Sequence, residues 1–242
     1  MQDQVQNRLK DQVIVIVGAT GGIGSALTRK LAPTGASLVL SSKDGMKLQK
    51  LAGDLSSEPL IAETDITQPE QVEALIQTTI DHFGKIDILV NAAGMGILKA
   101  YNNIHPEELN RILDLNLKGS FYTCQAAAKE MQKRKFGHIC NVVGILGKHS
   151  MPMAAAYSAS KFGVVGFSKS MAEELKRFGV KFTLFYFGGI DSPFWDHVSM
   201  KVDRTKMLSC ETAANAIFYA LSLEPQAVPM EINIQPDSHL FF

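Results

Sequence analysis

The first half of the chain alternates short, continuous apolar runs with longer segments whose apolar residues recur at helical spacing. Val13–Val17 is an uninterrupted β-branched run, which is typical of a strand covered on both faces. Residues 23–31 follow with helical spacing, and residues 37–41 are predicted to form the second strand. The same patterns predict further helices over 46–55, 71–83, 106–135 and 154–178, and further strands over 60–62, 86–90, 138–143 and 181–185.

This alternation of strands and helices indicates an α/β fold with a doubly wound parallel sheet and helices on both faces. A chain of 242 residues is commonly a single domain in this class, so residues 1–242 are predicted to form one unit. The least regular stretch is 188–207, which begins with two glycines and contains Pro193, Phe194 and Trp195. It is predicted to be a substrate lid, with an ordinary long loop as the alternative.

Composition and charge narrow the choice of function. Lys plus Arg and Asp plus Glu number 24 each, and this balance gives no support to a nucleic-acid partner or a polybasic membrane contact. The polar N-terminus lacks a signal core, and no apolar stretch approaches the ~18 residues that would span a bilayer. Cys124, Cys140, Cys210 and the six histidines show neither disulfide nor metal-ligand spacing. The sequence therefore predicts a cytoplasmic protein with no metal site.

A glycine-rich turn joins the first strand to the first helix. In Gly18-Ala19-Thr20-Gly21-Gly22-Ile23-Gly24, glycine allows a sharp turn and close approach of a ligand oxygen to backbone N–H groups. The helix that follows offers unpaired N–H groups and the positive end of its dipole, so the turn suits a pyrophosphate. A glycine-rich turn without a ligand is the alternative, but the strand–turn–helix context favours nucleotide binding.

The tip of the second strand bears on which nicotinamide cofactor is used. A carboxylate there would bind the adenosine ribose hydroxyls, whereas a basic residue accepts a 2′-phosphate. The residues are Ser41-Ser42-Lys43, which favours NADP(H). Asp44 follows at once and either rotates toward the ribose or acts as an acid in the first helical turn.

Tyr157 and Lys161 are separated by one helical turn in the run Tyr-Ser-Ala-Ser-Lys. Positions i and i+4 share a helix face, so the lysine can reach toward the phenol. A nearby cation favours the phenolate and lowers the tyrosine pKa toward the working range. The alternative is an amphipathic helix with a half-buried tyrosine and a solvated lysine.

These motifs, together with Asn91-Ala92-Ala93-Gly94 and Asn116, occur in the order and at the spacing of the short-chain dehydrogenase/reductase family. The chain resembles that family from about residue 11 to residue 236, and the resemblance implies a Rossmann-like fold. It implies that Tyr157 is the general acid in reduction, that Lys161 binds the nicotinamide ribose and lowers the tyrosine pKa, and that Asn116 holds a proton-relay water.

The resemblance also assigns positions around the cofactor, including Asp65 for the adenine amino group. Asn91 and Asn116 have an alternative role, which is to cap or bridge buried backbone. The positions expected to contact the cofactor are Gly18, Thr20, Gly22, Ile23, Gly24, Ser42, Lys43, Asp65, Ile66, Asn91, Ala92, Gly94, Tyr157, Lys161, Gly188, Ile190 and Ser192.

The sequence departs from the family pattern at three positions. Gly144 stands where the family has its catalytic serine, whose hydroxyl steadies the substrate carbonyl oxygen. Phe187 precedes Gly188 where the family has proline, and its ring is expected to crowd the wall beside the nicotinamide. Gly21 replaces a basic residue of the glycine turn, which weakens the case for NADP(H).

The sequence thus predicts an NADP(H)-dependent oxidoreductase that interconverts a ketone or aldehyde and an alcohol on an apolar small molecule, with 3-oxoacyl derivatives among the candidates. The predicted pocket contains Gly144, Ser150, Met151, Phe194 and Trp195, and Ser150 and His149 are the candidate replacements for the missing hydroxyl. The alternative is a weakly active or inactive nucleotide-binding sensor or partner-binding protein. The resemblance implies a homodimer or homotetramer formed through the helices 106–135 and 154–178. The apolar C-terminal residues 240–242 join that interface or cover the chain's own core.

Overall fold

The computed structural model describes residues 8–198, 200, 202–238 and 240–241. Seven parallel strands form one sheet in the order β3-β2-β1-β4-β5-β6-β7. The strands are β1 (Val13–Val17), β2 (Ser37–Ser42), β3 (Leu60–Glu63), β4 (Ile88–Asn91), β5 (Gly137–Val142), β6 (Val180–Phe187) and β7 (Glu231–Ile234). The α-helices are α1 (Gly22–Leu31), α2 (Gly45–Gly53), α3 (Pro69–Phe83), α4 (Pro106–Leu113), α5 (Ser120–Arg134), α6 (Ala155–Leu175) and α7 (Cys210–Ser222).

The alternation of side chains along β1 shows how the sheet is covered on both faces. Ile14 and Ile16 join an apolar cluster with residues of α1, α2 and α7. Val13, Val15 and Val17 join a second cluster with residues of α3, α5 and α6. Every residue of β1 is therefore buried, which is the reason for its unbroken apolar run.

The predicted fold class is confirmed, and the order of strands places the crevice for a ligand. Strand order reverses between β1 and β4, because β2 and β3 lie on one side of β1 while β4 to β7 lie on the other. In open parallel sheets, ligands bind at the carboxyl ends of the strands at such a reversal. The glycine turn after β1 and the Asn-Ala-Ala-Gly run after β4 both lie at this edge.

Several predicted elements differ from the structure in detail. The helix predicted over 106–135 is divided by a π-helical segment, Asp114–Gly119, that widens the helix between α4 and α5. The strand predicted over 86–90 begins later, at Ile88. Helix α7 and strand β7 were not among the elements predicted from the sequence. The stretch 188–207 contains two short 3₁₀ turns, Pro193–His197 and Arg204–Lys206.

The end of the chain packs against its own core as far as the structure describes it. The Gln235 side chain donates to the carbonyl of Phe241 (3.0 Å) and accepts from its N–H (2.9 Å). The Phe241 ring stacks on His149 at 5.3 Å between centroids. This contact favours the covering role for the C-terminal residues. Phe242 and the polar start of the chain before Arg8 lie outside the described residues. Within the described chain, no helix combines the length and apolar character needed to cross a membrane.

The His138 imidazole predicts a pH dependence of folding stability. His138 lies on β5, and its Nε2 is 2.8 Å from Thr183 Oγ1 on β6. Burial, with a contribution from the Lys181 charge, lowers the pKa of His138 to about 4. The unfolded chain has an ordinary histidine pKa near ~6.5, so it binds more protons than the folded chain between those values. Stability is therefore fully present above about pH 6.5 and is lost as pH falls toward 4.

We expect the free energy of unfolding to fall by about 1–2 kcal/mol between pH 7 and pH 5 because of His138 alone. Urea unfolding of wild type and His138→Gln at both pH values measures this, since glutamine does not titrate but retains an amide for Thr183. Equal losses in the two proteins would show that His138 contributes nothing.

Candidate active site

The glycine turn after β1 is shaped by contacts that leave no room for side chains. Gly18 has φ = 79°, and a Cβ there would lie 2.5 Å from the backbone nitrogen of Ala93. A Cβ at Gly24 would collide with the carbonyl oxygen of Gly18, which fixes α1 close to the turn. Among the described residues, none caps the N-terminus of α1 with its side chain, and the first turn holds no acid. Free N–H groups at a helix N-terminus fit an anion such as a pyrophosphate.

At the tip of β2, hydroxyl groups and a cation face the same edge. Thr20 Oγ1 lies 2.7 Å from Ser42 Oγ, so the two predicted contact residues meet. Asp44 caps α2 by accepting from the Lys47 N–H at 3.0 Å, and its carboxylate pairs with Lys47 Nζ at 3.0 Å. Asp44 is thus the N-cap of α2, one position before the predicted first turn, rather than a residue turned toward a ribose. Lys43 is exposed beside Ser42.

Asp65 and Ile66 follow β3, and their side chains differ in what they can offer a ligand. Asp65 Oδ1 accepts from the N–H of Thr67 (2.9 Å) and from its hydroxyl (2.7 Å). Burial opposes ionisation, but these bonds outweigh it and hold the pKa of Asp65 below its ordinary value, with the charge of Lys43 adding to the effect. The Ile66 side chain lies in the core against Gly119. It can therefore offer a ligand only its backbone.

The Asn91 side chain is used entirely inside the protein. Its amide donates to Asn141 Oδ1 at 2.9 Å and to Cys124 Sγ at 3.3 Å, and its carbonyl accepts from Thr123 Oγ1 at 2.9 Å. Asn91 therefore ties β4 to β5 and α5 through side chains, whereas the alternative role had predicted bonds to buried backbone. Next in the chain, Ala92 donates its N–H to the carbonyl of Val17, and this bond fixes the segment after β4 against β1.

Asn116, in the π-helical segment, fixes the segment that follows Gly94. Its carbonyl accepts from the Met95 N–H and its amide donates to the Met95 carbonyl, both at 2.9 Å, while the second amide hydrogen bonds Ser160 Oγ at 3.1 Å. Both donors of the amide are thus committed to protein groups. The second lone pair of Oδ1 and the backbone of Asn116 remain for the predicted water-holding role.

Gly94 keeps the space between Asn116 and Lys161 open. Asn116 Oδ1 and Lys161 Nζ each lie 3.4 Å from the point where a Gly94 side chain would begin. Lys161 Nζ also donates to the carbonyl of Val142 at 3.3 Å. The ammonium of Lys161 is therefore placed between the ends of β4 and β5.

Tyr157 and Lys161 lie one turn apart on α6, with Lys161 Nζ 5.8 Å from the centre of the Tyr157 ring. Burial raises the pKa of Tyr157 and lowers the pKa of Lys161 to about 8. The predicted lowering of the tyrosine pKa by the lysine is wrong for this structure, because the effect of burial on the phenol dominates and raises its pKa. The solvated-lysine alternative is also wrong, since Lys161 is buried.

Gly144 faces the Tyr157 hydroxyl in a backbone conformation that excludes other residues. A Cβ there would lie 3.5 Å from Tyr157 Oη and 3.8 Å from the Phe187 carbonyl oxygen, so space exists for a side chain. The dihedrals, however, are φ = 87° and ψ = 160°, a combination essentially restricted to glycine. Gly144 therefore combines the absence of a hydroxyl with a backbone conformation that side chains disfavour.

The Phe187 ring does not crowd this site, contrary to the sequence prediction. Phe187 is buried in the core on the α1 and α7 side of the sheet, where it stacks on Phe185 at 5.7 Å between centroids. Side chains alternate along β6, so the aromatic ring at 187 points away from Tyr157 while its carbonyl faces Gly144. Gly188 then packs against Pro236.

The segment 188–207 covers Tyr157, as a lid would. The Phe194 ring meets Tyr157 edge to face at 5.8 Å between centroids and lies over Gly96, where a side chain would collide with it. Trp195 donates its indole N–H to the carbonyl of Ile190 at 2.8 Å. Ser192 lies beside the glycine turn, since a Cβ at Gly22 would be 2.8 Å from Ser192 Cβ.

Two residues of this region were not identified from the sequence. Arg204 binds Asp191 at 2.5 Å and Asp196 at 2.7 Å, so it joins the two 3₁₀ turns of the segment 188–207. Cys210, at the start of α7, has its Sγ 2.7 Å from where a Gly22 Cβ would lie, and it donates to the Asp191 carbonyl. Neither has a local signal in the sequence, because the contacts join segments that are distant along the chain.

The remaining predicted pocket residues are neighbours in the chain. Met151 packs in one cluster with Tyr157 and Trp195. Ser150 and Met151 both line a depression beside α6, and the role of Ser150 as a replacement for the missing hydroxyl stays a prediction. The Ile23 side chain packs against the core below the glycine turn, which leaves its backbone N–H for a ligand.

Comparisons with known proteins agree with this geometry. The short chain dehydrogenase family model matches residues 12–203. An uncharacterised oxidoreductase of Staphylococcus epidermidis is 31% identical over 229 residues, covering 95% of this chain and 99% of the relative. Another, of Staphylococcus saprophyticus, is 32% identical over 242 residues, covering 96% and 98%.

Solved structures show the same fold. A metagenomic short-chain oxidoreductase in complex with NADP is 28% identical, with a TM-score of 0.82 and coverage of 95% of this chain and 99% of that one. An alcohol dehydrogenase from the archaeon Thermococcus sibiricus, complexed with 5-hydroxy-NADP, is 23% identical with a TM-score of 0.88 and coverage of 96% and 99%. The chain therefore belongs to the short-chain dehydrogenase/reductase family and is an NAD(P)-dependent oxidoreductase.

Proposed function

We propose that the protein interconverts a ketone or aldehyde and an alcohol on an apolar small molecule, using NADP(H), with Tyr157 as general acid in reduction. The observation that carries the proposal is the arrangement around the Tyr157 hydroxyl. The hydroxyl faces the space at Gly144, and Lys161 Nζ lies on the same helix face at the ends of β4 and β5. The general acid Tyr157, the Lys161 cation and the glycine turn thus lie at one edge of the sheet.

The raised pKa of Tyr157 keeps its hydroxyl protonated at neutral pH, so it can donate a proton to a substrate oxygen. Lys161, with a pKa of about 8, exchanges protons near physiological pH and can restore the proton of Tyr157. A relay from solvent through the Asn116 backbone to Lys161 would complete this path. The side chain of Asn116 serves the path indirectly by holding Met95 in place.

The residues at the glycine turn fit a dinucleotide, because a pyrophosphate needs free N–H groups and no side chains in its way. Gly18, Gly22 and Gly24 supply that surface, and Ser42 and Lys43 lie at the end of β2 for the adenosine ribose. The reduced nicotinamide cofactor would supply the hydride that reaches the carbonyl carbon. Lys161 and Gly94 would border its nicotinamide ribose.

An apolar substrate is supported by the residues that enclose Tyr157. Met151, Leu98 and Trp195 pack in one cluster with the tyrosine, and Phe194 meets its ring. Met95 and Ile97 pack on the other side of the ring. Such a lining favours a hydrophobic carbonyl compound over a charged one.

Steady-state NADPH oxidation against a panel of apolar ketones and aldehydes tests this function, with alcohol oxidation by NADP⁺ as the reverse assay. Turnover that saturates in both cofactor and carbonyl compound is the expected result. Tight NADPH binding with no turnover of any compound would instead support the second candidate, a nucleotide-binding protein without catalysis. The glycine-restricted backbone at Gly144 is the observation that favours this second candidate.

Lys43 is expected to set the preference for NADPH over NADH. A lysine beside a 2′-phosphate adds a charge-assisted hydrogen bond worth about 1.5 kcal/mol, so Lys43→Ala should lower kcat/KM for NADPH about tenfold and leave NADH nearly unchanged. Lys47→Ala is the matched control, because Lys47 is exposed on the same helix region but pairs with Asp44. Equal losses with both cofactors would contradict a contact with the 2′-phosphate.

The predicted assembly as a homodimer or homotetramer is also part of this proposal. Leu109 on α4 and Phe162 on α6 are exposed apolar side chains on the two helices expected to form the interface. Light scattering of the full chain measures the assembly directly, and a monomer would contradict it.

A further inference from the structure

Arg204 binds the residues on both sides of Phe194 with one guanidinium group. Its Nε lies 2.5 Å from Asp191 Oδ1, its Nη1 lies 2.7 Å from Asp196 Oδ1, and its Nη2 donates to the carbonyl of Ser192 at 3.1 Å. Arginine presents its N–H groups in one rigid plane, so a single side chain can hold all three acceptors at once. The stretch around Phe194 is therefore tied to a residue 8 to 13 positions further along the chain.

The base of this loop is fixed by backbone hydrogen bonds that do not involve Arg204. Leu208 donates its N–H to the Gly189 carbonyl at 2.9 Å, and its own carbonyl accepts from the Asp191 N–H at 2.8 Å. Among the described residues, the ion pairs that cross the loop are the two made by Arg204. Loss of Arg204 should therefore free the far part of the loop while its base stays in place.

The position of Phe194 bears on the catalytic group. Its ring packs edge to face on the ring of Tyr157 and lies over Gly96. Among the described residues, no atom of Phe194 or its chain neighbours lies within 4 Å of the point where a Gly144 side chain would begin, which is the space that the Tyr157 hydroxyl faces. The ring of Tyr157 is thus covered, while room remains at its hydroxyl for a carbonyl group.

The guanidinium of Arg204 also separates two like charges. Asp191 and Asp196 both bind it, so the two carboxylates lie close to each other with the cation between them. The next cation along the described chain, Lys206, pairs with Asp203 at 3.7 Å instead. Without Arg204 the carboxylates of Asp191 and Asp196 would repel each other. Removing the arginine therefore replaces an attraction across the loop by a repulsion.

We propose that Arg204 is a positioning residue that holds the segment 188–207 over Tyr157 and thereby strengthens binding of the apolar carbonyl substrate beneath Phe194. The inference rests on the proposed function, because it places that substrate at Tyr157. Arg204 acts through the position of Phe194 and not on the reacting atoms, so its effect falls on KM more than on kcat.

Trp195 makes the position of this segment measurable, because it is the single tryptophan of the chain. Acrylamide quenching of its fluorescence in the full chain reports how well the segment is held, and it requires no turnover. We expect Arg204→Met to raise the quenching constant about twofold, because the population shifts toward forms in which the loop has moved away. Lys206→Met is the matched control, since it removes a cation of the same 3₁₀ turn that pairs only with Asp203. It should keep the wild-type quenching constant.

Asp196→Asn separates a charge effect from a general loss of packing. In the wild-type background it removes an ion pair, so quenching should rise. In the Arg204→Met background it removes the repulsion with Asp191, so quenching should fall. Equal quenching in wild type and Arg204→Met, or a rise on Asp196→Asn in both backgrounds, would overturn the inference. If Arg204→Met fails to fold, an unchanged quenching constant in Asp196→Asn alone overturns it.

Ketone-reduction kinetics of the same variants test the effect on substrate binding. In Arg204→Met, KM for the best ketone should rise about fivefold with kcat within about twofold of wild type, since an exposed ion pair contributes about fivefold or less. An unchanged KM in a variant with increased Trp195 quenching would overturn the inference. Absence of ketone reduction by the wild type would overturn the proposed function alone, because the quenching measurements decide whether Arg204 holds the segment.

Discussion

Replacing Tyr157 by phenylalanine is expected to abolish carbonyl reduction while NADPH binding is retained. The substitution removes the hydroxyl that faces Gly144 but keeps the ring that packs edge to face on Phe194. A positioned general acid contributes about 10²–10⁴ in rate, and a phenylalanine ring has no proton to donate at this position. We therefore expect kcat to fall by at least ~10³-fold with little change in thermal stability.

The measurement is kcat for the best ketone of the panel together with NADPH affinity by fluorescence titration. Tyr219→Phe is the matched control, because it removes the same atom from an exposed tyrosine on α7. If Tyr157→Phe kept a tenth or more of wild-type kcat, the proton would have to come from another group and the proposed role of Tyr157 would be wrong.

The central sheet was predictable because its strands carry strong local signals. The apolar run Val13–Val17 is buried on both faces, and that burial is what its composition indicated. Edge elements carry weaker signals, and β7 shows why. Its four residues, Glu231–Ile234, alternate between exposed and half-buried positions at the end of the sheet. A run this short cannot be told from a loop by periodicity.

The positions of the site residues were predictable in large part, but the use of their side chains was not. The turn after β1 and the Tyr157–Lys161 pair meet at one sheet edge because parallel strands align their carboxyl ends. The side chains of Asn91 and Asn116, by contrast, form hydrogen bonds with partners such as Asn141 and Met95, which are far away in sequence. Side-chain partners of this kind depend on tertiary packing, which no local pattern encodes.

The pKa values of the catalytic pair illustrate the same limit. Helical spacing correctly placed Lys161 near Tyr157, but it could not weigh the effect of a nearby charge against the effect of burial. In the structure burial dominates both groups, raising the pKa of the phenol and lowering that of the ammonium. Burial thus keeps Tyr157 in the protonated form, which is the form that donates a proton in reduction, and it also makes the phenol a weaker acid.

Gly144→Ser is expected to exceed Gly144→Ala in kcat by about 10-fold to 10²-fold, although both variants should be less stable than wild type. Any Cβ at φ = 87° and ψ = 160° costs about 1–3 kcal/mol, since the backbone must be held in a conformation that side chains disfavour. In a domain of this size that corresponds to a decrease in Tm of roughly 2–12 °C. The two variants share this cost, so their ratio isolates the hydroxyl.

The serine hydroxyl should help because a Cβ at this position lies 3.5 Å from Tyr157 Oη, which puts its oxygen within reach of the substrate oxygen that Tyr157 protonates. A donor that steadies developing charge on such an oxygen typically contributes ~10²–10³ in rate, and part of that is lost here to the strained backbone. Thermal unfolding and ketone-reduction kinetics of both variants measure the two effects separately. Equal kcat in the serine and alanine variants would show that the site does not use a hydroxyl at position 144, and that Tyr157 acts on the substrate oxygen without a second donor there.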